Sequence, residues 1–335
     1  MKNNAVCFLI LIIILLGLAV LNLFVGSVHI PAKDVLSILL GQADPSTPWH
    51  YIVWESRLPQ AITAILAGSG LAVSGLLLQT AFHNPLAGPS ILGITAGANL
   101  GVALVMLLMG GILSTGYITI GGYTAVILAA FAGSILIISI LLFLSQVLHN
   151  NLMLLITGIL LSYLTSSLIT LLNSVATPEG VQNYVVWGMG NFNSVTLAQL
   201  PFFCTTCFIG IVISLLLIKP LNALQLGEHY AENLGVNTKH LRNALLLATG
   251  LLTAVITAFC GPISFLGLAV PHVARLLTRS DNQRILMPST LLLGGVLALL
   301  CNLICVFPEN TIIPLNAVTP LMGAPVILYV IISKK

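Results

Sequence analysis

Few side chains in this sequence have the types and spacing that chemistry requires. Cys204 and Cys207 have Cys-x-x-Cys spacing, which serves redox and zinc sites when a second ligand pair accompanies it. Here none does, and the pair lies in an apolar run. Cys7, Cys260, Cys301 and Cys305 also lie in or beside apolar runs and read as small core residues. His83-Asn84 and His149-Asn150-Asn151 mark polar breaks, and His272 falls near a helix end. No nucleophile–base pair or carboxylate cluster emerges, so an embedded protease or lipid transferase has no candidate residues. A P-loop requires Gly-Lys-Ser/Thr at the start of a helix. Lys33, Lys219 and Lys239 neither follow Gly nor precede Ser or Thr. If ATP drives this protein, the motor is another chain.

The surroundings of these residues explain the scarcity. Of 335 residues, 58% are hydrophobic and 6% charged, against about 25% charged in soluble domains. No Asp, Glu, Lys or Arg occurs between Arg57 and Glu179, from Gly180 to Ile218, from Asn243 to Ala274, from Ile285 to Pro308, or from Asn310 to Ser333. A spanning helix needs about 20 mostly apolar residues, and backbone in lipid must satisfy its own hydrogen bonds. The pattern predicts an all-α, polytopic transmembrane bundle of about ten helices, at 5–26, 58–82, 91–109, 118–147, 152–174, 200–218, 243–260, 264–279, 286–306 and 314–332. The first of these is longer than the apolar core of a signal peptide and reads as a retained helix. Residues 27–56 read as an interfacial aromatic loop, and 175–199 have room for a short interfacial helix.

Ten helices put Lys2, Lys219, Lys239, Arg242, Arg275, Arg279, Arg284, Lys334 and Lys335 on one face, with Lys33 and Arg57 opposite. The positive-inside bias makes the first face, and both termini, cytoplasmic. The net charge of +3 is too small and scattered for a nucleic-acid surface. Gly88-Pro89-Ser90-Ile91-Leu92-Gly93 and Gly261-Pro262-Ile263-Ser264-Phe265-Leu266-Gly267 open the third and eighth helices from opposite faces. This predicts inverted repeats of helices 2–5 and 7–10.

Ionisable groups inside a membrane usually mark function, and here they are almost absent. Unwound backbone and hydroxyls can still bind sodium, and Thr95, Asn99, Thr157 and Ser162 are the residues that could serve. The most charged stretch is 219–242. Within it, Gly227-Glu228 through Lys239-His240-Leu241-Arg242 reads as two short helices. Gly235 fits the C′ position of the first, and Asn237 the cap of the second. Ala231, Leu234, Val236 and Leu241 could meet a partner. A solvated loop fits the pattern equally well.

Several motifs in order then resemble one family along nearly the whole chain. They are Arg57-Leu58-Pro59 before a helix ending Gly75-Leu76-Leu77-Leu78-Gln79, Asn84-Pro85-Leu86-Ala87 with Leu92-Gly93-Ile94, and Gly227-Glu228 through Leu234-Gly235-Val236. Gly261 through Pro271-His272-Val273-Ala274-Arg275 and the closing Gly323-Ala324-Pro325 complete the set. The sequence resembles the permease subunits of ABC importers for iron–siderophore, haem and cobalamin, the FecCD or BtuC-like family. The resemblance implies a single permease domain over 1–335, in the inner membrane of a bacterium. It implies a partner set of a second copy, two ATP-binding subunits carrying ATP and Mg, and an extracytoplasmic substrate-binding protein, with no cofactor on this chain. Residues Gly227, Glu228, Ala231, Leu234, Gly235, Val236, Asn237, Lys239 and Arg242 then form the ATPase-coupling segment. Asn84, Leu86, Asn150 and Asn151 match the cytoplasmic gate. Arg57 matches an arginine that pairs with the binding protein, with Gln60 and Glu309 on the same docking face. Gln60 stands where the family often has a second basic residue. Asn302, Cys305 and Ile312-Ile313-Pro314 replace the usual charges, leaving Glu309 the one charge nearby. Without the resemblance, an ion-coupled carrier or channel lacking an ATPase is the competing reading.

Overall fold

The computed structural model describes residues 2–42, 44, 46–109, 112–114, 119–148, 151–307 and 313–333. Its helices are α1 (Lys2–Phe24), α2 (Ala32–Leu39), α3 (Pro48–Tyr51), α4 (Leu58–Ala81), α5 (Ile94–Ala103), α6 (Tyr123–Val147), α7 (Asn151–Val175) and α8 (Pro178–Gly188). They continue with α9 (Leu200–Leu216), α10 (Ile218–Leu224), α11 (Glu228–Asn233), α12 (Thr238–Cys260), α13 (Leu266–Thr278), α14 (Gln283–Val306) and α15 (Leu315–Ser333). Ile112–Ser114 and Thr119–Gly121 pair as a small antiparallel hairpin.

All ten helices expected from the charge gaps are present, as α1, α4, α5, α6, α7, α9, α12, α13, α14 and α15. Six of the described helical runs are long and apolar enough to cross a membrane alone. Joining α9 to α10 across a 49° bend makes a seventh. The runs Ile94–Leu108, Leu266–Thr278 and Leu315–Tyr329 are shorter. Two of these open behind non-helical backbone. Gly93, at φ +80, precedes α5, and Phe265, at φ +67, precedes α13.

Two details of the sequence reading need correction. Residues 27–56 are not a loop throughout, because Thr47 caps α3 by accepting from the His50 N–H. A π-helical segment, Ile52–Arg57, then carries the chain into α4. In the coupling segment, only α11 is a short separate helix. The second one expected is the opening of the long α12, since nothing between Asn237 and Gly261 breaks it.

The repeat is visible in the packing. Helix α4 packs on α14 as α12 packs on α6, and α13 packs on α4 as α5 packs on α12. The pairs α5–α7 and α13–α15 correspond in the same way. Helices α4 and α12 lie at the centre, buried along most of their length. Small residues set the approach of their neighbours. A Cβ on Gly75 would lie 1.6 Å from the Gly267 carbonyl oxygen, so α4 and the start of α13 meet backbone to backbone.

Candidate functional site

At the end of the bundle that carries the basic residues, α10, α11 and the start of α12 form one bonded unit. Helix α11 ends as its sequence dictates. Gly235 takes φ +83, the Gly235 N–H donates to Glu232 O (2.9 Å), and the Val236 N–H donates to Ala231 O (3.0 Å). These are the two bonds of a Schellman end, in which glycine avoids Cβ strain. The Asn237 side chain accepts from the His240 N–H at 3.1 Å and starts α12. Thr238 Oγ1 donates to Glu232 at 2.9 Å, closing the turn between them.

Arg242 fastens this unit to the rest of the protein. Its guanidinium lies 3.4 Å from the Glu228 carboxylate and donates to Leu148 O at 3.1 Å, at the end of α6. Charge-assisted bonds of this kind are the strong ones. Both side chains are committed within the chain. Lys239 is exposed.

The apolar residues of the segment divide in a way their order does not show. Ala231 and Leu241 are buried, and Val236 is half-buried. They hold the segment against the bundle rather than offering it to a partner, which corrects the sequence reading for these residues. Leu226, Tyr230 and Leu234 are the exposed large apolar groups. Leu226 and Tyr230 were not picked out from sequence. The signal was available in part in the spacing, since Tyr230 and Leu234 stand four apart, one helical turn.

The turn after α4 lies beside α10. Asn84 Oδ1 accepts from the Leu86 N–H at 2.9 Å, an Asx turn that presents Leu86 outward. His272, buried in α13, meets Pro85 O through Nε2 at 2.8 Å. Asn151 opens α7, while Asn150 lies outside the described residues.

Helix α7 is largely exposed, and so is α1, but their exposed faces differ. That of α1 carries Val6, Leu9, Ile13, Leu16 and Val20, a surface suited to lipid. That of α7 interleaves Leu160, Leu164 and Leu171 with Tyr163, Ser166, Ser167 and Thr170. A hydroxyl-bearing face suits a wet path or another protein better than acyl chains. Thr157 and Ser162 turn their hydroxyls to carbonyls of their own helix, at 2.8 and 2.9 Å. Among the described residues, no group of three His, Cys, Asp or Glu is placed to hold a metal.

At the opposite end, Arg57 is 4% exposed. Its guanidinium donates to Leu23 O and Phe24 O at 2.8 and 2.9 Å, and to Val28 O at 2.5 Å. It therefore caps the C-terminus of α1, where carbonyls lack helical partners. Gln60 donates to Asn302 Oδ1 at 2.9 Å, and Asn302 donates to Asn22 Oδ1 at 2.7 Å, tying α4, α14 and α1 together. Arg57, Gln60 and Asn302 line a cavity of about 500 Å³ with Asn191, Asn193 and Pro314. Glu309 lies outside the described residues.

A helical membrane bundle of inverted repeats, with an exposed apolar triad on a bonded polar segment, has the architecture of a polytopic membrane transport protein. The chain belongs to the FecCD transport family, whose model matches residues 11–333. It is 36% identical over 291 residues to the vitamin B12 import system permease protein BtuC of Yersinia enterocolitica, covering 84% of this chain and 82% of that protein. The BtuC protein of Klebsiella pneumoniae is 32% identical over 333 residues, covering 97% of this chain and 93% of its own. A solved structure assigned as a metal-chelate type ABC transporter, in an inward-facing conformation, superposes with a TM-score of 0.84. It shares 30% identity, and the match covers 98% of this chain and 99% of that one. These likenesses support an ABC importer permease, a multi-pass protein of the bacterial inner membrane working with ATP-binding subunits.

Proposed function

We propose that this chain, as a homodimer, translocates a large metal complex across the cytoplasmic membrane by alternating access, driven by two separate ATPase subunits that carry ATP and Mg. One observation supports this most directly: the exposed triad Leu226, Tyr230 and Leu234 on a segment tied by Arg242 to the end of α6. The segment 219–242 is the ATPase contact. Asn84 and Leu86, with Asn150 and Asn151, form the cytoplasmic gate between the two copies. Both termini are cytoplasmic. A substrate-binding protein docks at the opposite mouth, near Arg57, Gln60 and Glu309. Since Arg57 and Gln60 already serve partners within the chain, the docking rests on shape and polar contact more than on free charge.

The working cargo is an iron–siderophore complex, with haem and cobalamin as the alternatives. The metal-chelate name of the structural neighbour supports the first, and the vitamin B12 names of the curated relatives support cobalamin. An ion-coupled carrier is not favoured, because the chain belongs to the FecCD transport family and its structural neighbour is an ABC transporter.

The test is reconstitution in proteoliposomes with the cognate ATPase and binding protein. Uptake should require ATP and both partners. Uptake by the chain alone under a sodium or proton gradient would reject the proposal. Thermal shift of the binding protein against ferric siderophores, haem and vitamin B12 identifies the cargo.

A further inference from the structure

The turn that follows α4 is held from outside as well as by its own helix. The His83 N–H donates to Thr80 O at 3.4 Å and the Asn84 N–H to Gln79 O at 3.2 Å. His83 itself takes φ +47. This is the left-handed position at a helix end where glycine is the usual occupant. Histidine enters this conformation less readily than glycine, and its side chain adds a contact that glycine lacks.

What it supplies is a bond to the coupling segment. His83 Nε2 donates to Leu224 O, the last residue of α10, at 3.2 Å. The same carbonyl also accepts the Gly227 N–H at 3.0 Å, where α11 begins. Helix α10 is itself a firm attachment point. Gln225 donates to Asp281 O at 3.0 Å, and Asn222 Oδ1 accepts the Gln283 N–H at 2.8 Å. From the other side, His272 holds Pro85. A cavity of about 430 Å³, lined by Gln79, His83, Pro85, His272 and Arg275, leaves the turn space to shift.

We infer that His83 is a positioning residue that harnesses the turn bearing Asn84 and Leu86 to the ATPase-coupling segment, so that movement of residues 219–242 is passed to the gate through the Leu224 carbonyl. The inference rests on the gate reading of Leu86 given under the proposed function. It adds the physical link between motor contact and gate, which neither residue's position supplies alone.

The same geometry gives the test. His83→Gly suits the backbone, so it removes the bond without disturbing the helix end. His83→Asn tolerates the left-handed conformation and lacks the imidazole Nε2. The experiment uses the complete complex with its ATPase subunits, and a background with Cys7 and Cys204 replaced, because the other four cysteines are buried. A spin label at Leu86→Cys, one per copy, reports the distance across the dimer with and without ATP and Mg. A second preparation carries the label at Asn233→Cys, an exposed position of α11 outside the triad.

In the parent complex both labels should respond to nucleotide. In His83→Gly and His83→Asn the Asn233 response and ATP hydrolysis should persist, while the Leu86 response is lost. An undiminished Leu86 response in both variants overturns the inference and leaves the gate reading standing. A Leu86 label that is silent in the parent complex, beside a responding Asn233 label, overturns the gate reading and this inference with it. Loss of both responses in the variants makes His83 a folding element only, and also rejects the link.

Discussion

Truncating the exposed triad should weaken ATPase binding without touching the fold. Leu226, Tyr230 and Leu234 are 65%, 52% and 58% exposed. Complete burial of a leucine side chain is worth about 1.5–3 kcal/mol. Slightly more than half of that remains available to a partner at Leu234, or about 1 kcal/mol for Leu234→Ala after the alanine's own share. One kcal/mol is about a fivefold change in Kd. The pair Leu226→Ala and Leu234→Ala should cost about 2 kcal/mol, near thirtyfold, if the two contacts are independent. The chain's own melting temperature should fall by only a few degrees, because both side chains are more exposed than buried. Leu241→Ala is the contrast, since Leu241 is buried at the start of α12. It should lower stability by about 2–3 kcal/mol and leave ATPase affinity intact in the protein that folds. The assay is titration of the purified ATPase subunit onto the detergent-solubilised dimer by light scattering or calorimetry, beside thermal unfolding of each variant. Unchanged affinity in the double variant would refute the claim that this face is the motor contact. A large loss of stability would refute the burial argument.

Other perturbations follow from the packing. Gly75→Ala should prevent recovery of monodisperse protein, because its Cβ would sit 1.6 Å from the Gly267 carbonyl oxygen. Gly17→Ala, with nothing within 4 Å, should elute as the parent does on size exclusion. Gly235→Ala should lower stability by about 1 kcal/mol and loosen the Schellman end of α11, visible as faster amide exchange at Val236. Arg57→Ala should lower stability in a thermal scan by about 2–3 kcal/mol, since it strips the cap from α1. If Arg57 acts only in docking, stability will hold and binding-protein affinity alone will fall. Glu228→Lys should disturb ATPase coupling more than Lys239→Glu, because it sets two cations together at Arg242. Equal effects in an uptake assay would count against the clasp.

The helices and the family were legible in the chain because lipid imposes a one-dimensional rule. A span must be apolar for about 20 residues, so gaps between charges report spans directly. The ends of α11 and α12 were legible for a local reason. Gly235 and Asn237 act on backbone groups within a few residues, and both took the roles their types suggest. The shorter lengths of α5 and α13 were less legible, since apolar residues before Ile94 and Leu266 look alike whether helical or extended.

Contacts between distant residues were out of reach of any such rule. Arg57 reads as a free charge beside an interface, yet its three acceptors come from Leu23, Phe24 and Val28. Ala231 and Leu234 are equally apolar in a list, and only the placement of α11 against the bundle buries one and exposes the other. His83 appeared as one residue of a polar break until the fold set Leu224 beside it. The sequence by itself determined a helical membrane path without its own ATP site, because composition and local capping act along the chain. The tertiary structure decided which groups on that path are spent internally and which remain for partners, because a hydrogen-bond partner 141 positions away is a property of packing.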